Sequence, residues 1–112
     1  MTSQCDITNR HCVPCEGGVA PLSAGESRDL LASLPGWALS EGRIEKSFPF
    51  RDHYETMTFV NAIAWVSHLE GHHPDLAVGY NSVTVRYWTH AISGLSENDF
   101  ICAAKIEKLL TL

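Results

Sequence analysis

The pattern of apolar and polar residues in the first half of the chain predicts a helix followed by a hairpin. Ser23 and Glu26 have the spacing of a capping box, and leucines recur at helical spacing behind them. Pro35-Gly36 should end this helix. Residues 37–39 and 43–50 are short segments rich in apolar residues, and a turn dipeptide lies between them. This pattern predicts two strands that form a hairpin.

The second half of the chain repeats this order and adds a final helix. Asp52 with Glu55 is a possible N-terminal cap, and apolar residues at helical spacing between residues 59 and 66 indicate a helix of about 18 residues that ends at Gly71. Residues 77–80 and 82–88 then predict a second hairpin. Ser96 and Asp99 form a further capping box before the last apolar stripe.

The predicted order α-β-β-α-β-β-α indicates an α+β fold, in which a four-stranded antiparallel sheet carries the helices on one face. With 112 residues, the chain is long enough for one domain. Residues 1–21, rich in Cys, Gly and Pro, suggest an N-terminal arm. The domain itself should span residues 22–112.

Charge and hydropathy narrow the class of function. The net charge of −5 argues against a direct nucleic-acid binder, because binding phosphates requires a basic surface. No apolar run is long enough for a membrane span, and residues 1–9 lack the apolar segment of a secretory signal. We therefore expect a cytoplasmic protein that binds neither membranes nor nucleic acid.

The four cysteines do not resemble a disulfide framework, and in a reducing cytosol they should be thiols. Cys12 and Cys15 have the spacing of half a zinc site, which Cys5 and His11 could complete. A second well-spaced pair is missing. We therefore favour an arm that carries thiols and keep a metal-binding protein as an alternative.

Histidines near the predicted end of the long helix are the strongest chemical signal. His72 and His73 follow Gly71, and His90 follows the last strand. Imidazoles exchange protons near neutral pH and also bind metals. His68 and His72 are four residues apart, as in helical zinc sites, but the sequence lacks the HExxH motif.

A purely structural explanation accounts for only part of this cluster. One histidine at a helix C-terminus interacts favourably with the helix dipole, which would explain His72 without any function. It would not explain His90, which the second hairpin could bring beside His72 and His73. Proton-transfer chemistry is the interpretation we prefer.

The same residues resemble the pterin-4a-carbinolamine dehydratase family over about residues 21–112. The family pattern is matched, with its accepted spacings, by His68, His72-His73-Pro74, Tyr80, His90 and Asp99. Flanking segments such as Pro35-Gly36-Trp37 and Gly94-Leu95-Ser96 are similar too. His68 stands where many relatives have glutamate.

The resemblance implies dehydration of 4a-hydroxytetrahydropterin to quinonoid dihydropterin, which recycles the pterin after aromatic amino-acid hydroxylation. It implies no metal and no other cofactor. The implied catalytic residues are His72, His73 and His90, where His72 and His90 would form the acid–base pair and His73 would steer the 4a-hydroxyl. The implied substrate-binding residues are His68, Pro74, Thr89, Asp99 and Trp37. Asp99 could orient a site histidine or could equally serve only as a helix cap, and Trp37 could belong to the core.

The resemblance also implies partners. These are a pterin substrate, an aromatic amino-acid hydroxylase in the same pathway, and further copies of the chain in a homodimer or homotetramer. Apolar residues outside the core stripe of the long helix, among them Trp65, are consistent with such an assembly. The alternative function of another class is a non-catalytic regulatory or assembly module on the same fold.

Overall fold

The computed structural model of the chain describes residues 10–12 and 20–110. Its elements in chain order are α1 (Ala24–Leu31), β1 (Ala38–Ser40), β2 (Arg43–Pro49), α2 (His53–Glu70), β3 (Asp75–Val78), β4 (Ser82–Tyr87) and α3 (Glu97–Leu109), with a short 3-10 helix (His90–Ile92) between β4 and α3. The predicted α+β fold and order of elements are confirmed.

The strands of the described residues form an antiparallel sheet in the order β1-β2-β4-β3. The two strands of each hairpin, β1 with β2 and β3 with β4, pair with each other. β2 and β4 pair in the middle of the sheet, where Ile44 lies opposite Tyr87. β3 is an edge strand, and its first residue, Asp75, lies opposite Arg86 near the end of β4. This register places the start of β3 and the end of β4 at the same end of the sheet.

One face of the sheet packs against the helices and forms the core. Alternate strand residues on this face, such as Phe48, Val83 and Val85, are almost fully buried. They pack with apolar residues of α2 and α3, including Phe59 and Phe100. The strand alternation therefore places the helices on one face, as the sequence predicts.

The opposite face of the two central strands is polar. Ser47 and Thr84 share a hydrogen bond of 2.7 Å between their hydroxyls, and Arg86 donates to Glu45 at 2.9 Å. Such cross-strand pairs stabilise an antiparallel sheet by a few tenths of a kcal/mol to about 1 kcal/mol each.

The long helix α2 begins and ends as its sequence predicts. Asp52 caps the N-terminus by accepting the Glu55 amide at 2.9 Å. At the other end, Gly71 adopts a left-handed conformation with φ of 63°, which a residue with a Cβ adopts at a steric cost. The chain therefore turns sharply at Gly71, and the histidine pair comes directly after this turn.

The predicted strands at 37–39, 43–50 and 82–88 differ from the structure by one residue, and two other elements differ by more. The strand predicted at residues 77–80 is Asp75–Val78, because pairing with β4 begins directly after Pro74. Gly79 instead belongs to the turn, where its amide donates to the Ser82 carbonyl at 2.8 Å. The first helix ends at Leu31. Backbone hydrogen bonds between residues three apart then form turns as far as Leu34, before the predicted stop at Pro35-Gly36.

None of the helices within the described ranges has both the length and the apolar character of a membrane span. Most of the predicted arm, residues 1–9 and 13–19, lies outside the described residues. Among the arm residues that are described, Arg10, His11 and Cys12 contact α2 and α3.

Candidate active site

The topology explains why two distant histidine segments meet. His72 and His73 lie between α2 and the start of β3, and His90 lies just beyond the end of β4. Because Asp75 pairs with Arg86, both segments leave the sheet at the same end. The predicted meeting of the three imidazoles is therefore a consequence of antiparallel pairing.

These segments line a cleft of about 560 Å³. This volume is in the range of small-molecule sites. The cleft is open to solvent on one side, and its walls are largely polar side chains and aromatic rings. Its lining residues are Cys12, His68, Leu69, Glu70, Gly71, His72, His73, Trp88, Thr89, His90, Ala91 and Asn98.

His72 is held by a buried carboxyl group. Its Nε2 lies 2.6 Å from Oδ1 of Asp99, whose side chain is 0% exposed. The ring also stacks on Tyr87, with centroids 5.8 Å apart and planes within 10°. Because a carboxylate oxygen can only accept, the shared proton belongs on Nε2, and Nδ1 is the nitrogen left for other partners.

Asp99 has a second function in the structure. Its other oxygen, Oδ2, accepts the Ser96 amide and the Thr89 hydroxyl, each at 2.9 Å. The first of these bonds belongs to the capping box of α3. The sequence left helix capping and histidine orientation as alternatives for Asp99. In the structure Asp99 does both, because Oδ1 binds His72 and Oδ2 caps α3.

His73 and His90 are exposed and face each other, with ring centroids 6.1 Å apart. His90 also stacks on Trp88 at 4.4 Å, and the Arg43 guanidinium lies 4.5 Å from the same indole. The aromatic wall therefore fixes the plane of the His90 ring, while its nitrogens stay accessible to a ligand in the cleft.

The remaining predicted site residues lie in different places. Thr89 and His68 line the cleft, and His68 also packs against Trp65. Trp37 and Pro74 are not among the lining residues. Trp37 is 5% exposed in the core, where its ring lies 6.3 Å from that of Tyr87 and its indole N–H donates to Glu107.

Several cleft residues were not predicted from the sequence. Trp88 was predicted only as the last residue of the strand at 82–88, although a tryptophan two residues before a candidate catalytic histidine is a usable signal. Glu70 and Cys12 meet across 58 residues, where the Cys12 amide donates to Oε1 of Glu70 at 2.8 Å. Such long-range contacts leave no local pattern in the sequence.

Two pKa shifts mark groups beside the site. Burial, followed by neighbouring thiols and Asp99, raises the pKa of Tyr87 far above its usual range, so its hydroxyl stays protonated. Burial alone would raise the pKa of Glu70. The Cys12 amide, His11 and Lys105 together hold that pKa below its usual value.

The alternative of a metal site was tested in the part of the chain that the structure describes. Within residues 10–12 and 20–110, no group of three or more His, Cys, Asp or Glu side chains is arranged to hold a metal ion. Cys5 and Cys15, which the N-terminal alternative requires, lie outside these residues.

Comparison with known proteins decides the family. The model of the family described as pterin 4 alpha carbinolamine dehydratase matches residues 20–109, which contain every histidine of the cleft. The chain belongs to this family.

Individual relatives of the dehydratase family agree. A Dechloromonas aromatica protein named as a pterin-4-alpha-carbinolamine dehydratase is 62% identical over 112 residues, covering 100% of both chains. A Nitrosomonas eutropha protein of the same name is 60% identical over 111 residues, covering 98% of each chain.

Solved structures agree with the fold. A transcriptional coactivator/pterin dehydratase from Brucella melitensis superimposes with a TM-score of 0.77 at 30% identity, over 80% of this chain and 97% of that one. A pterin dehydratase-like RuBisCO assembly factor of the alpha-carboxysome gives a TM-score of 0.55 at 23% identity, over 65% of this chain and 84% of that one, which is a likeness of fold alone.

Proposed function

We propose that this protein dehydrates 4a-hydroxytetrahydropterin to quinonoid dihydropterin, with histidines as acid and base. The observation that supports this proposal most is that His72, His73 and His90 line one cleft, with His72 anchored to buried Asp99. The family to which the chain belongs is named for this reaction.

The reaction requires two proton transfers. One proton must reach the hydroxyl that leaves C4a, and another must be removed from a ring nitrogen. A positioned acid or base contributes about 10²- to 10⁴-fold to such a step, and imidazoles do both near neutral pH. Three imidazoles on one cleft therefore supply the required groups.

We assign the base to His72. Its Nε2 proton is committed to Asp99, which leaves Nδ1 free to accept a proton from the pterin ring. The buried carboxylate would then stabilise the imidazolium that forms. Asp99 thus acts as a positioning residue through His72, and it need not touch the pterin itself.

We assign delivery of the proton to the pair formed by His73 and His90. Their rings lie 6.1 Å apart at the exposed side of the cleft, a separation that allows both to reach one hydroxyl group. His90 would donate the proton, and His73 would hold the 4a-hydroxyl towards it. The stacking of His90 on Trp88 keeps the His90 ring in place for this transfer.

Of the remaining predicted residues, we propose that two contact the substrate and two act indirectly. Thr89 and His68 line the cleft and would contact the pterin. Trp37 would act indirectly, because it packs against Tyr87, and Tyr87 stacks on His72. Pro74 would act by restricting the backbone directly after His73, where β3 begins.

Single substitutions at the two exposed imidazoles test this proposal. His73→Ala and His90→Ala should each lower the turnover of enzymatically generated 4a-carbinolamine at least about tenfold, because each removes a proton-transfer or steering group. His53→Ala is the matched control, since His53 is an exposed histidine at the opposite end of α2, about 27 Å along the helix. Equal losses in all three variants would contradict the assignment.

We further propose that the reaction recycles the pterin used by an aromatic amino-acid hydroxylase and takes place in the cytosol. The free thiols of Cys12 and Cys102 fit a reducing compartment. Adding the protein to a working hydroxylase should shorten the lifetime of the 4a-hydroxy intermediate. An unchanged lifetime would contradict this role.

A binding role beside catalysis is the second candidate. The Brucella relative, at 30% identity, carries the names of both a coactivator and a dehydratase. A regulatory module would not require the histidines for binding. A partner captured equally well by wild type and by His73→Ala would therefore support a second role, and a lack of any partner would argue against it.

We also propose that the chain forms a homodimer or homotetramer. Trp65 and Leu69, each 61% exposed, lie on α2, and Val78 is exposed on the edge strand β3. Apolar side chains of this size gain free energy when a second copy covers them. Light scattering should give two or four copies for wild type and a smaller assembly for Trp65→Glu; a wild-type monomer would contradict the proposal.

A further inference from the structure

Two thiols that are 90 positions apart in sequence lie together beside the cleft. Sγ of Cys12 is 3.5 Å from Sγ of Cys102, and neither cysteine forms a disulfide. Cys102 is fully buried in α3, whereas Cys12 is half-buried and lines the cleft. Nothing in the proposed dehydration uses either sulfur.

The position of Cys12 is fixed by contacts of its neighbours. Glu70, at the end of α2, accepts the Cys12 amide at 2.8 Å and pairs with His11 at 3.0 Å. Lys105 of α3 lies 3.5 Å from the same carboxylate, and Arg10 pairs with Glu97 at 2.7 Å. These contacts hold residues 10–12 against both helices, with the Cys12 thiol directed at Cys102.

The two sulfurs differ in accessibility. The accessible Cys12 would react first with an oxidant, and the buried Cys102 would then form the disulfide with it. Cys12 opens to the cleft, so a small oxidant can reach it. The hydrogen bond with Cys12, and then burial, raise the pKa of Cys102 far above its usual range, which makes its thiol the poorer first nucleophile. Oxidation should therefore begin at Cys12.

We propose that Cys12 and Cys102 form a peroxide-sensitive dithiol site whose disulfide fastens residues 10–12 to α3 beside the cleft. Sulfur of Cys12 attacks one oxygen of hydrogen peroxide, the O–O bond breaks, and Cys12 becomes a sulfenic acid as the first water leaves. Sulfur of Cys102 then attacks that of Cys12, and the S–O bond breaks. Each thiol gives up one proton, and the second oxygen departs as water.

The geometry requires little rearrangement for this step. A disulfide has an S–S distance of about 2.0 Å, so the sulfurs must approach each other by about 1.5 Å from their present 3.5 Å. Cys12 is half-buried, and rotation of its side chain with a small shift of its backbone can supply this movement. The bond would close a loop of 90 residues, which constrains the unfolded chain strongly.

The test uses the full chain with Cys5→Ser and Cys15→Ser, so that Cys12 is the only cysteine in tryptic peptide 11–28. Cys102 is the only cysteine in tryptic peptide 87–105. After treatment of the folded protein with hydrogen peroxide, mass spectrometry should find these two peptides linked. The melting temperature should rise by at least about 5 °C and return to its starting value with dithiothreitol.

Two variants in the same background serve as controls. Cys12→Ser should abolish both the linked peptide and the rise in melting temperature, and because Cys12 is not in the buried core it leaves the packing of α3 intact. Cys102→Ala should do the same and leave Cys12 to be oxidised further. Over-oxidised, unlinked Cys12 in the protein that retains both thiols would overturn the proposal. In the otherwise wild-type chain, a Cys12–Cys15 bond would also overturn it.

Discussion

Replacing Asp99 with asparagine would test the most distinctive contact of the site. Asp99 accepts from His72 on one oxygen, and from Thr89 and Ser96 on the other. Asparagine has nearly the same shape but only one acceptor oxygen. Keeping the cap of α3 places that oxygen towards Ser96, which turns the amide NH₂ towards Nε2 of His72.

The consequence for His72 is a change of tautomer. An NH₂ group donates, so Nε2 must become the acceptor, and the ring proton moves to Nδ1, the nitrogen that we assign to proton abstraction. A general base is worth about 10²- to 10⁴-fold, so turnover by Asp99→Asn should fall at least about tenfold. The free energy of unfolding should fall by about 1 kcal/mol, because a hydrogen bond to a charged group, worth about 1.5–3 kcal/mol, is replaced by a neutral one worth about 0.5–1.5 kcal/mol.

Three measurements check this prediction together. Stopped-flow dehydration gives turnover, chemical denaturation gives the free energy of unfolding, and ¹⁵N chemical shifts of the imidazole give the tautomer of His72. Ser96→Ala is the control, because it removes the capping hydroxyl of α3 and its hydrogen bond to Thr89 but leaves the Asp99 contact to His72 in place. A folded Asp99→Asn protein with wild-type turnover and an unchanged tautomer would refute the reasoning.

Two further predictions address the walls of the cleft. Trp88→Leu should raise KM or lower kcat several-fold, because it removes the ring on which His90 stacks at 4.4 Å; unchanged steady-state kinetics would show that the indole does not position His90. The Glu70 carboxyl has a lowered pKa in the folded protein, so its contribution to stability is present above about pH 4.3 and is lost as the pH falls through the folded value. Denaturation curves between pH 3 and 7 should therefore show a weaker acid-side loss of stability for Glu70→Gln than for wild type, and parallel profiles would contradict the role of Glu70 in holding Cys12.

The sequence was most informative where local signals decide the structure. Capping residues such as Asp52 and the left-handed Gly71 determine where α2 begins and ends, and these signals are short and specific. The alternation at Val83, Val85 and Tyr87 is likewise a local signal, since side chains in a strand alternate strictly, and these three residues form the buried face of β4.

The sequence was less informative where pairing or distant contacts decide. β3 is shifted by two residues from its predicted position. The first and last residues of a strand depend on the partner strand, and the local pattern of residues 75–80 suits either register. The contacts of Glu70 with His11 and Cys12 could not be predicted, since nothing local links segments so far apart.

The candidate site shows both kinds of information. The meeting of His72, His73 and His90 followed from the topology, once two hairpins and an intervening helix were predicted. The two functions of Asp99 were considered separately from the sequence, because a carboxyl group has two oxygens and only the fold shows which neighbour each one meets.

The most direct test of the account is the turnover of the double variant His73→Ala/His90→Ala. Stopped-flow spectroscopy on freshly generated 4a-carbinolamine would compare it with wild type, after circular dichroism has verified that the variant is folded. We predict that the folded double variant dehydrates the substrate at least about 10²-fold more slowly than wild type, because only the base His72 remains of the three imidazoles. Dehydration at the wild-type rate would place the chemistry outside this cleft.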